Sequence, residues 1–305
     1  MGAPLFHVLA IGHACWDLVA TVPAFPVEDE KQEITALDES GGGPAANAVC
    51  VVARWGLRAA FAGVIGDDHR GQAVIADLAA YGVDCRLTER RAGHVTPTSL
   101  VLVNAENGSR TIINRKRPTA GLQLDAATLH AKLGEPRILL FDGHEPLASA
   151  AAQQAFPQAV SILDAGSVRE GTLALADGVM HLAASGRFAR QVTGIDPRHS
   201  ADAADRALLA LRQRFPHPSS VTITLGAAGA VSTYAQGLTR HFSAPAVAAI
   251  DTTAAGDIWH GALAYALAKE LEFDAAVRLA VVAASQSVTR AGGRGSMPQT
   301  APCSA

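Results

Sequence analysis

Short apolar runs that alternate with helical patterns constrain the fold of this 305-residue chain more than any other feature. Runs of strand length occur at Val8–Ile11, 59–65, Ile138–Phe141, 161–163, 179–182 and 221–225. Apolar residues at helical spacing occur over 45–55 and 71–81, and again from Gly256 and from Asp274. This alternation predicts an α/β fold with a doubly wound, mostly parallel sheet that helices cover on both faces.

Two segments interrupt this alternation and predict a smaller β-sheet. Residues 18–40 alternate in polarity and contain Pro23 and Pro26, which suits edge strands outside the main sheet. Within residues 99–117, the pair Asn107-Gly108 separates two strand-like runs and is a strong hairpin signal. We therefore expect these two segments to form a β-sheet lid inserted into the α/β core.

Composition excludes several classes of protein. The net charge is −3 and basic residues dominate neither half, which argues against nucleic-acid binding. No apolar run is long enough to span a membrane. Residues 1–16 lack a basic n-region and are followed at once by Asp17, so they favour a first strand over a signal peptide. We expect one domain over 1–305, in the cytoplasm.

The cysteines are far apart in sequence and form no CxxC pair. Free thiols in a reducing compartment are therefore expected rather than disulfides or a metal site. The four residues are Cys15, Cys50, Cys85 and Cys303.

The segment DTTAAGD at residues 251–257 leads into a helical pattern and carries the clearest chemical signal. Its small residues, Ala254, Ala255 and Gly256, allow backbone N–H groups to approach a ligand closely. The start of the helix offers unpaired N–H groups and a positive dipole end to an anion. Asp257 lies at the mouth of this site, where it could accept a proton from a hydroxyl that attacks a phosphate. An ordinary N-capping Asp is the alternative.

Together with GGGPAAN at 41–47 and Asp17, this segment resembles the signatures of the PfkB (ribokinase) family of carbohydrate kinases. The family's GDDHRG-like segment follows at 66–71, and the resemblance covers nearly the whole chain. It implies a ribokinase-like fold, with ATP and Mg²⁺ as cofactors. It also implies that the lid closes over the sugar and often forms a homodimer interface. In this reading Asp257 is the catalytic base. A carboxylate at a helix N-terminus should be ionised at neutral pH.

The resemblance implies the residues that bind the sugar. Asp17 and Asn47 would hydrogen-bond its hydroxyl groups, while Gly42 and Gly43 would let the backbone reach the ligand and bend as the lid closes. Read without the resemblance, Asp17 could be a turn residue at a strand end and Asn47 a helix cap.

An ATP site is implied at Ser185, Thr224, Gly226, Ala227, Gly229, Gly256 and Ala284. The sequence departs from many relatives here, because Ser185 and Phe188 occupy the Asn and Glu positions of an Asn-x-x-Glu motif. That Glu helps to place magnesium-bound water, although ketohexokinase-like members also lack it. Mg²⁺ commonly binds through phosphates and waters with few protein ligands.

Many relatives also bind a monovalent cation such as K⁺ beside the anion site. The matching positions are Asp251, Thr253, Val288, Ala291, Gly293 and Ser296. A plain surface turn of small residues is an equal alternative for this loop.

Three further positions bear on the substrate. His144 stands where ribokinases carry Glu, and where ketohexokinase-like and sulfofructose-kinase-like members carry Arg. Lys31 and Asn114 match positions that face the anionic end of the sugar in the sulfofructose kinase group. The basic run Arg115-Lys116-Arg117 lies beside Asn114. The resemblance implies a ketose, and these positions are compatible with an anionic one such as sulfofructose; solvated lid residues are the alternative.

Other functions remain open at this stage. A ribokinase-type pentose kinase or a nucleoside kinase would use the same fold, but a nucleoside kinase needs an aromatic platform, and the lid is poor in aromatic residues. A non-catalytic sugar- or nucleotide-binding protein is a further alternative. A nicotinamide oxidoreductase is disfavoured. GGGPAA at 41–46 fits the loose dinucleotide fingerprint, but no apolar strand precedes it and no acidic residue follows about 20 positions on.

Overall fold

A computed structural model of the protein describes residues 6–34, 37–234 and 238–302. The strands are β1 (Val8–Ile11), β2 (Cys15–Val22), β3 (Leu37–Gly42), β4 (Ala59–Ala62), β5 (Val64–Gly66), β6 (Glu89–Arg91), β7 (Thr98–Asn104), β8 (Arg110–Arg115), β9 (Ile138–Phe141), β10 (Val160–Ala165), β11 (His181–Ser185), β12 (Ser220–Thr224), β13 (Ala230–Tyr234) and β14 (Leu238–Phe242). The helices are α1 (Pro44–Arg54), α2 (His69–Ala80), α3 (Ala126–Leu133), α4 (Pro146–Ala155), α5 (Glu170–Ala176), α6 (Gly186–Thr193), α7 (Ala201–Arg214), α8 (Ala255–Ala268) and α9 (Phe273–Ser287).

The large sheet has eight strands in the order β14-β13-β12-β11-β10-β9-β1-β4. The six strands from β4 to β12 run parallel, and β13 and β14 continue the sheet antiparallel. This arrangement confirms the predicted α/β fold.

Helices bury both faces of this sheet. Val8 and Ala10 of β1 belong to the buried cluster that includes α1, α8 and α9, whereas Leu9 and Ile11 belong to the cluster that includes α3, α4 and α7. Because every residue of β1 is buried on one face or the other, the strand must be continuously apolar. No helix within the described residues is both long and apolar enough to cross a membrane.

The lid is a four-stranded sheet in the order β3-β2-β7-β8. Strand β2 pairs antiparallel with β3 and parallel with β7, and β8 closes the hairpin with β7. The expectation of edge strands across 18–40 is wrong in part, because β2 lies inside the sheet. Pro23 and Pro26 follow β2 in an irregular segment, where their missing N–H groups cost no ladder hydrogen bonds. Residues 35 and 36 of this segment lie outside the described residues.

Two predicted strands have different bounds in the structure. The run 59–65 divides at Gly63, so that β4 pairs with β1 while β5 pairs with β6. A Cβ at Gly63 would lie 2.4 Å from the carbonyl oxygen of Gly12, so the chain passes too closely there for a larger residue. The strand expected at 179–182 is His181–Ser185 instead. Cys15, Cys50 and Cys85 are free thiols, and Cys303 lies outside the described residues.

Candidate active site

The site lies where the carboxyl ends of the parallel strands meet the amino end of α8. Asp142 directly follows β9, and Asp164 is the penultimate residue of β10. Gly12 follows β1, and a Cβ there would lie 2.1 Å from Asp142 Oδ1. Open parallel sheets bind ligands at this edge, because the loops after the strands converge there.

The start of α8 is built as an anion site. Ala254 precedes the helix with a φ of 60°, a left-handed conformation that is strained for a residue with a Cβ. The N–H groups of Gly256 and Asp257 lie in the first turn, where a helix supplies them with no carbonyl partner. A Cβ at Gly256 would meet no protein atom within 4 Å, so the open space beside it suits a ligand.

Asn47 and Asp257 bring the two signature segments together. The Asn47 Nδ2 group donates a 2.7 Å hydrogen bond to Asp257 Oδ2 across 210 residues of sequence. Asn47 lies in the first turn of α1, and its own N–H is bonded to the Gly43 carbonyl at 2.8 Å. It is therefore a helical residue rather than the cap considered above.

The carboxyl of Asp257 is less acidic than expected for a helix start. Burial raises its pKa to about 7, and the nearby Asp164 carboxyl acts in the same direction. The hydrogen bond from Asn47 opposes this rise. Burial and a second acid therefore oppose the helix position, which favours the ionised form of Asp257.

Asp164 and His260 form a buried pair behind Asp257. Burial raises the pKa of Asp164 to about 8, with a further contribution from Asp142. His260 Nδ1 lies 3.3 Å from Asp164 Oδ2 and 2.7 Å from the Gly256 carbonyl. Its Nε2 lies 3.3 Å from the carbonyl of Ala183, so both ring nitrogens face acceptors. Burial lowers the pKa of His260, while the two carbonyls favour its protonated form.

The lid presents polar groups to the site from three adjacent strands. Asp17 of β2 pairs in register with Ser99 of β7, which pairs with Asn114 of β8. Paired residues share a face of a sheet, so the three side chains lie in one row. Asp17 is inside a strand, so it is not the turn residue considered as an alternative. Its Oδ1 accepts a 3.1 Å hydrogen bond from Cys15 Sγ, and burial raises the pKa of that thiol.

The glycines of the first signature make room for specific neighbours. A Cβ at Gly42 would lie 2.0 Å from Asp17 Oδ2, so only glycine lets β3 and this carboxylate approach so closely. Gly43 has a φ of 101°, and a Cβ there would lie 2.3 Å from the carbonyl oxygen of His13. A polar strand, β3, precedes this segment and belongs to the lid, whereas a dinucleotide fingerprint follows a buried strand of the main sheet.

A cavity of about 570 Å³ adjoins the anion site. Six of the seven residues predicted for ATP line it, and these are Thr224, Gly226, Ala227, Gly229, Gly256 and Ala284. Trp259 and Arg110 also line it, and Arg110 Nη1 donates to Thr252 Oγ1 at 2.9 Å. Ser185 is not among the lining residues. Its Oγ caps α6 by accepting from the Phe188 N–H at 3.0 Å, although it lies in register with Thr224 at the same sheet edge.

Phe188 explains the departure from the Asn-x-x-Glu motif in physical terms. Its side chain is fully buried in the core and stacks on Phe215 at 6.3 Å between ring centroids. It therefore points away from the cavity. Within the described residues no three His, Cys, Asp or Glu side chains are grouped as metal ligands. A Mg²⁺ ion here would be held chiefly by phosphates and water, as this ion commonly is.

The positions predicted for a monovalent cation lie close together. Asp251 Oδ1 accepts from the Thr253 N–H at 2.8 Å, and Oδ2 accepts from the Gly292 N–H at 3.0 Å. Ser296 Oγ donates to the Gly293 carbonyl at 2.7 Å. The Thr253 hydroxyl is buried without a partner among the described residues. These are oxygen donors with unused lone pairs, so the residues are compatible with a K⁺ ion.

His144 lies among cationic groups rather than beside Lys31. Lys116 Nζ lies 3.0 Å and Arg169 Nη1 lies 2.7 Å from His144 Nε2. Both cations can only donate, so Nε2 must accept, and the ring N–H is then at Nδ1, 3.1 Å from Asp142 Oδ1. Burial lowers the pKa of Lys116, and the charge of Arg169 lowers it further.

No contact among Lys31, Asn114 and His144 supports their expected convergence within the described residues. Lys31 is exposed in the segment between β2 and β3, and no hydrogen bond or ion pair joins it to either partner within the described residues. Lys116 takes the place expected for it. His13 stacks on His144 at 4.6 Å between ring centroids, and burial holds the pKa of His13 well below its usual range.

Sequence reasoning missed several residues of this site: Asp142, Asp164, Arg169, His260 and Arg294. Two of them carried a usable signal. Asp164 ends an apolar strand, where site residues of parallel sheets occur. His260 is three residues after Asp257 and so lies on the same helix face.

Comparisons with known proteins agree with this geometry. The sequence matches the pfkB family carbohydrate kinases over residues 6–300. A ribokinase of Haemophilus influenzae is 28% identical over 289 residues, 92% of each chain. Mus musculus ketohexokinase is 33% identical over 107 residues, 35% of this chain and 36% of its own. The crystal structure of a putative ribokinase from Agrobacterium tumefaciens has a TM-score of 0.86 at 28% identity, covering 96% of this chain and 94% of that one.

The chain therefore belongs to the pfkB family of carbohydrate kinases. It has the ribokinase-like fold and is a sugar kinase that uses ATP, with Mg²⁺ as the usual partner of the nucleotide.

Proposed function

We propose that this kinase phosphorylates a hydroxyl group of a small ketose, with Asp257 as the catalytic base. The observation that carries the proposal is the 2.7 Å contact between Asn47 and Asp257 at the open start of α8. The contact supports the proposal because it orients the half-buried carboxyl of Asp257 next to Gly256, which lines the 570 Å³ cavity.

The side chains and amides divide the chemistry between them. Asp17 and Asn47 orient the sugar, and Asp257 accepts the proton of the attacking hydroxyl. The hydroxyl oxygen bonds to the γ-phosphorus of ATP while the bond from that phosphorus to the bridging oxygen breaks and ADP leaves. The N–H groups of Gly256 and Asp257 offset the negative charge of the transferred phosphoryl group. Mg²⁺ supplies charge neutralisation to the phosphates when it is bound. Base catalysis of this kind contributes about 10²–10⁴ in rate.

The cationic cluster of Lys116, Arg169 and His144 supports an anionic substrate. Two cations approach one imidazole nitrogen at 3.0 and 2.7 Å. The ring contacts Asp142, and within the described residues neither Lys116 nor Arg169 is in an ion pair with a carboxylate. A sulfonate or phosphate at the end of the sugar remote from the accepting hydroxyl would offset this positive charge with charge-assisted hydrogen bonds. A neutral pentose such as ribose offers no such group.

ADP release in the presence of ATP and Mg²⁺ tests these proposals on a panel of substrates. The panel contains fructose, its 6-sulfonate and 6-phosphate analogues, ribose and adenosine. The anionic ketoses are expected to have the highest kcat/KM. A preference for ribose would support the ribokinase-type alternative, and a preference for adenosine the nucleoside kinase. Binding of a sugar without any turnover would favour the non-catalytic alternative.

Two further proposals concern the cation and the assembly. We infer that K⁺ binds at Asp251 and Ser296, so replacing KCl with choline chloride should lower kcat. We also infer a homodimer through the outer face of the lid, because Leu37, Leu100 and Ile113 are exposed there on three strands. Sedimentation at micromolar protein should give the dimer mass, and Ile113→Glu should shift it to the monomer.

A further inference from the structure

Arg294 is the largest fully buried side chain among the described residues, and the reaction outlined above leaves it unused. It lies in the short 3₁₀ turn Gly293–Ser296, and only 2% of its surface is exposed. A buried guanidinium is costly unless its N–H groups find acceptors. This one ion-pairs with Asp77 of α2, donates Nε to Asn47 Oδ1 at 3.0 Å, and donates Nη2 to the Gly42 carbonyl at 3.3 Å.

The contact with Asn47 fixes the orientation of that amide. An amide side chain can turn over and exchange its oxygen and nitrogen positions. Arg294 can only donate, so the amide oxygen must face the guanidinium. The amide nitrogen is thereby turned to Asp257 and donates the 2.7 Å hydrogen bond described above. If the amide turned over, its oxygen would face a carboxylate and repel it.

We propose that Arg294 is a positioning residue for phosphoryl transfer, which acts through Asn47 on the catalytic carboxylate of Asp257. The proposal rests on the role of Asp257 as the base. Through the Gly42 carbonyl, the same guanidinium also holds the backbone that lies against Asp17. One buried cation thus ties the C-terminal turn to the sugar side of the site.

The first glycine of the signature has a specific purpose in this arrangement. A Cβ at Gly41 would lie 2.4 Å from Arg294 Nη1 and 2.4 Å from Asp77 Oδ2. The three glycines at 41–43 therefore accommodate three different neighbours: the guanidinium, the Asp17 carboxylate and the His13 backbone.

Several charged or titratable groups act on Asp257 besides the amide. Asp164 of β10 disfavours its ionised form, whereas His260 of α8 and Arg110 of β8 favour that form. Without the hydrogen bond from Asn47, less remains to oppose the rise that Asp164 causes in the pKa of Asp257. The acidic limb of the kcat profile is therefore expected to move to higher pH when Arg294 can no longer orient the amide.

The test compares Arg294→Lys with the wild-type protein. Lysine keeps the charge and can pair with Asp77, but it lacks the planar fork that reaches both Asn47 and Gly42. We expect kcat to fall by about tenfold to 100-fold. The KM for ATP should stay within about twofold of the wild-type value, because Arg294 does not line the nucleotide cavity.

A double-mutant cycle distinguishes positioning from a purely structural role. In an Asn47→Ala background, Arg294→Lys should change kcat by no more than about twofold, since its target is already gone. Asp77→Asn is the matched control. It removes the ion pair but keeps the Asn47 contact, so it should lower the melting temperature and leave the pH profile in place.

Additive kcat losses in the cycle, or an Asp77→Asn variant with the same kcat loss as Arg294→Lys, would overturn the proposal. If Arg294→Lys does not fold, Gly41→Ala displaces the guanidinium without removing it and should give the same kcat loss and pH shift. A folded Gly41→Ala enzyme with wild-type kcat and pH profile would also overturn it. An inactive wild-type enzyme, or an Asp257→Asn variant that retains activity, would instead count against the proposed base.

Discussion

Two glycine-led segments, 41–47 and 66–71, each open a helix, but they use their polar side chains in opposite ways. Helix α1 begins after Gly43 with no side-chain cap, and Asn47 in its first turn reaches out to Asp257. Helix α2 begins after Asp68, whose Oδ1 accepts from the Gly71 N–H at 2.8 Å and from Thr96 Oγ1 at 2.6 Å. The first segment builds the site, and the second ties α2 to the start of the lid.

The two segments differ in how many hydrogen bonds the carboxyl groups of Asp68 and Asp257 accept. Burial acts to raise the pKa of Asp68, but hydrogen bonds from Thr96 and Gly71 outweigh it and lower that pKa. Asp257 receives one hydrogen bond from Asn47, while burial and Asp164 raise its pKa to about 7. A carboxylate saturated by hydrogen bonds is a structural anchor, whereas one left partly unsatisfied remains a proton acceptor.

The largest effect is expected where the first segment meets α8. Asp257→Asn should lower kcat by about 10²–10⁴ while sugar binding remains measurable by calorimetry, because the amide keeps the shape but cannot accept the proton. Asp67→Asn is the control, because Asp67 belongs to the second segment and its exposed carboxylate pairs with Arg90. An Asp257→Asn enzyme with more than about a tenth of the wild-type kcat would show that Asp257 is not the base.

The second effect concerns substrate choice at the lid. Lys116→Ala should lower kcat/KM for an anionic ketose by about one to two decades, the value of one charge-assisted hydrogen bond. The neutral ketose should change little. Arg117→Ala is the matched control, because this exposed neighbour makes no contact with His144 within the described residues. Lys31→Ala should have a smaller effect than Lys116→Ala, and equal losses for neutral and anionic sugars would remove the case for an anionic substrate.

The regular parts of the fold were predictable because burial on two faces leaves a simple pattern. The continuous apolar runs of β1 and β9 predicted central parallel strands, and Asn107-Gly108 predicted the β7–β8 hairpin, where Gly108 has a φ of 68°. The break at Gly63 was not predictable, since it depends on the close approach of the carbonyl of Gly12, the residue that follows β1.

The site was predictable only where short motifs carried it. Asp257 and Asn47 were identified from their segments, and the structure brings them into contact. Arg294 was missed because its partner Asn47 is 247 residues away, and no local pattern marks a buried guanidinium. The placement of Lys116 rather than Lys31 beside His144 likewise depends on how the lid strands pair.

The third effect is on stability rather than on activity. Asp68→Ala should lower the free energy of unfolding by about 1–2 kcal/mol, the value of a helix cap, and leave kcat unchanged. Asp125→Ala is the control, because Asp125 caps α3 through Thr128 of the same helix rather than through a distant segment. Denaturant unfolding should show the larger loss for Asp68→Ala. A kcat loss in Asp68→Ala would mean that the second segment also serves the site.

The last effect is the pH dependence that Asp164 imparts to stability. Its pKa is raised to about 8 in the folded protein, against an ordinary value of 3.8, so the folded state holds a proton that the unfolded chain releases. Stability from this group is complete below about pH 4 and is lost as the pH rises towards 8, with a slope of at most about 1.4 kcal/mol per pH unit. Asp164→Asn removes this pH-dependent loss of stability. The difference in melting temperature between the variant and the wild-type protein should therefore increase from pH 5 to pH 8.

The same substitution also tests how Asp257 is tuned. Asp164 disfavours the ionised form of Asp257, so Asp164→Asn should move the acidic limb of kcat to lower pH, the opposite direction to Arg294→Lys. Glu145→Gln is a suitable control for stability: burial also raises the pKa of Glu145, but its Oε2 accepts from the Leu122 N–H at 2.6 Å, away from Asp257. It should leave the acidic limb in place. If Asp164→Asn and Glu145→Gln moved that limb equally, the shift would reflect general destabilisation. If only Asp164→Asn moves it, the second carboxyl sets the pH at which the base becomes competent.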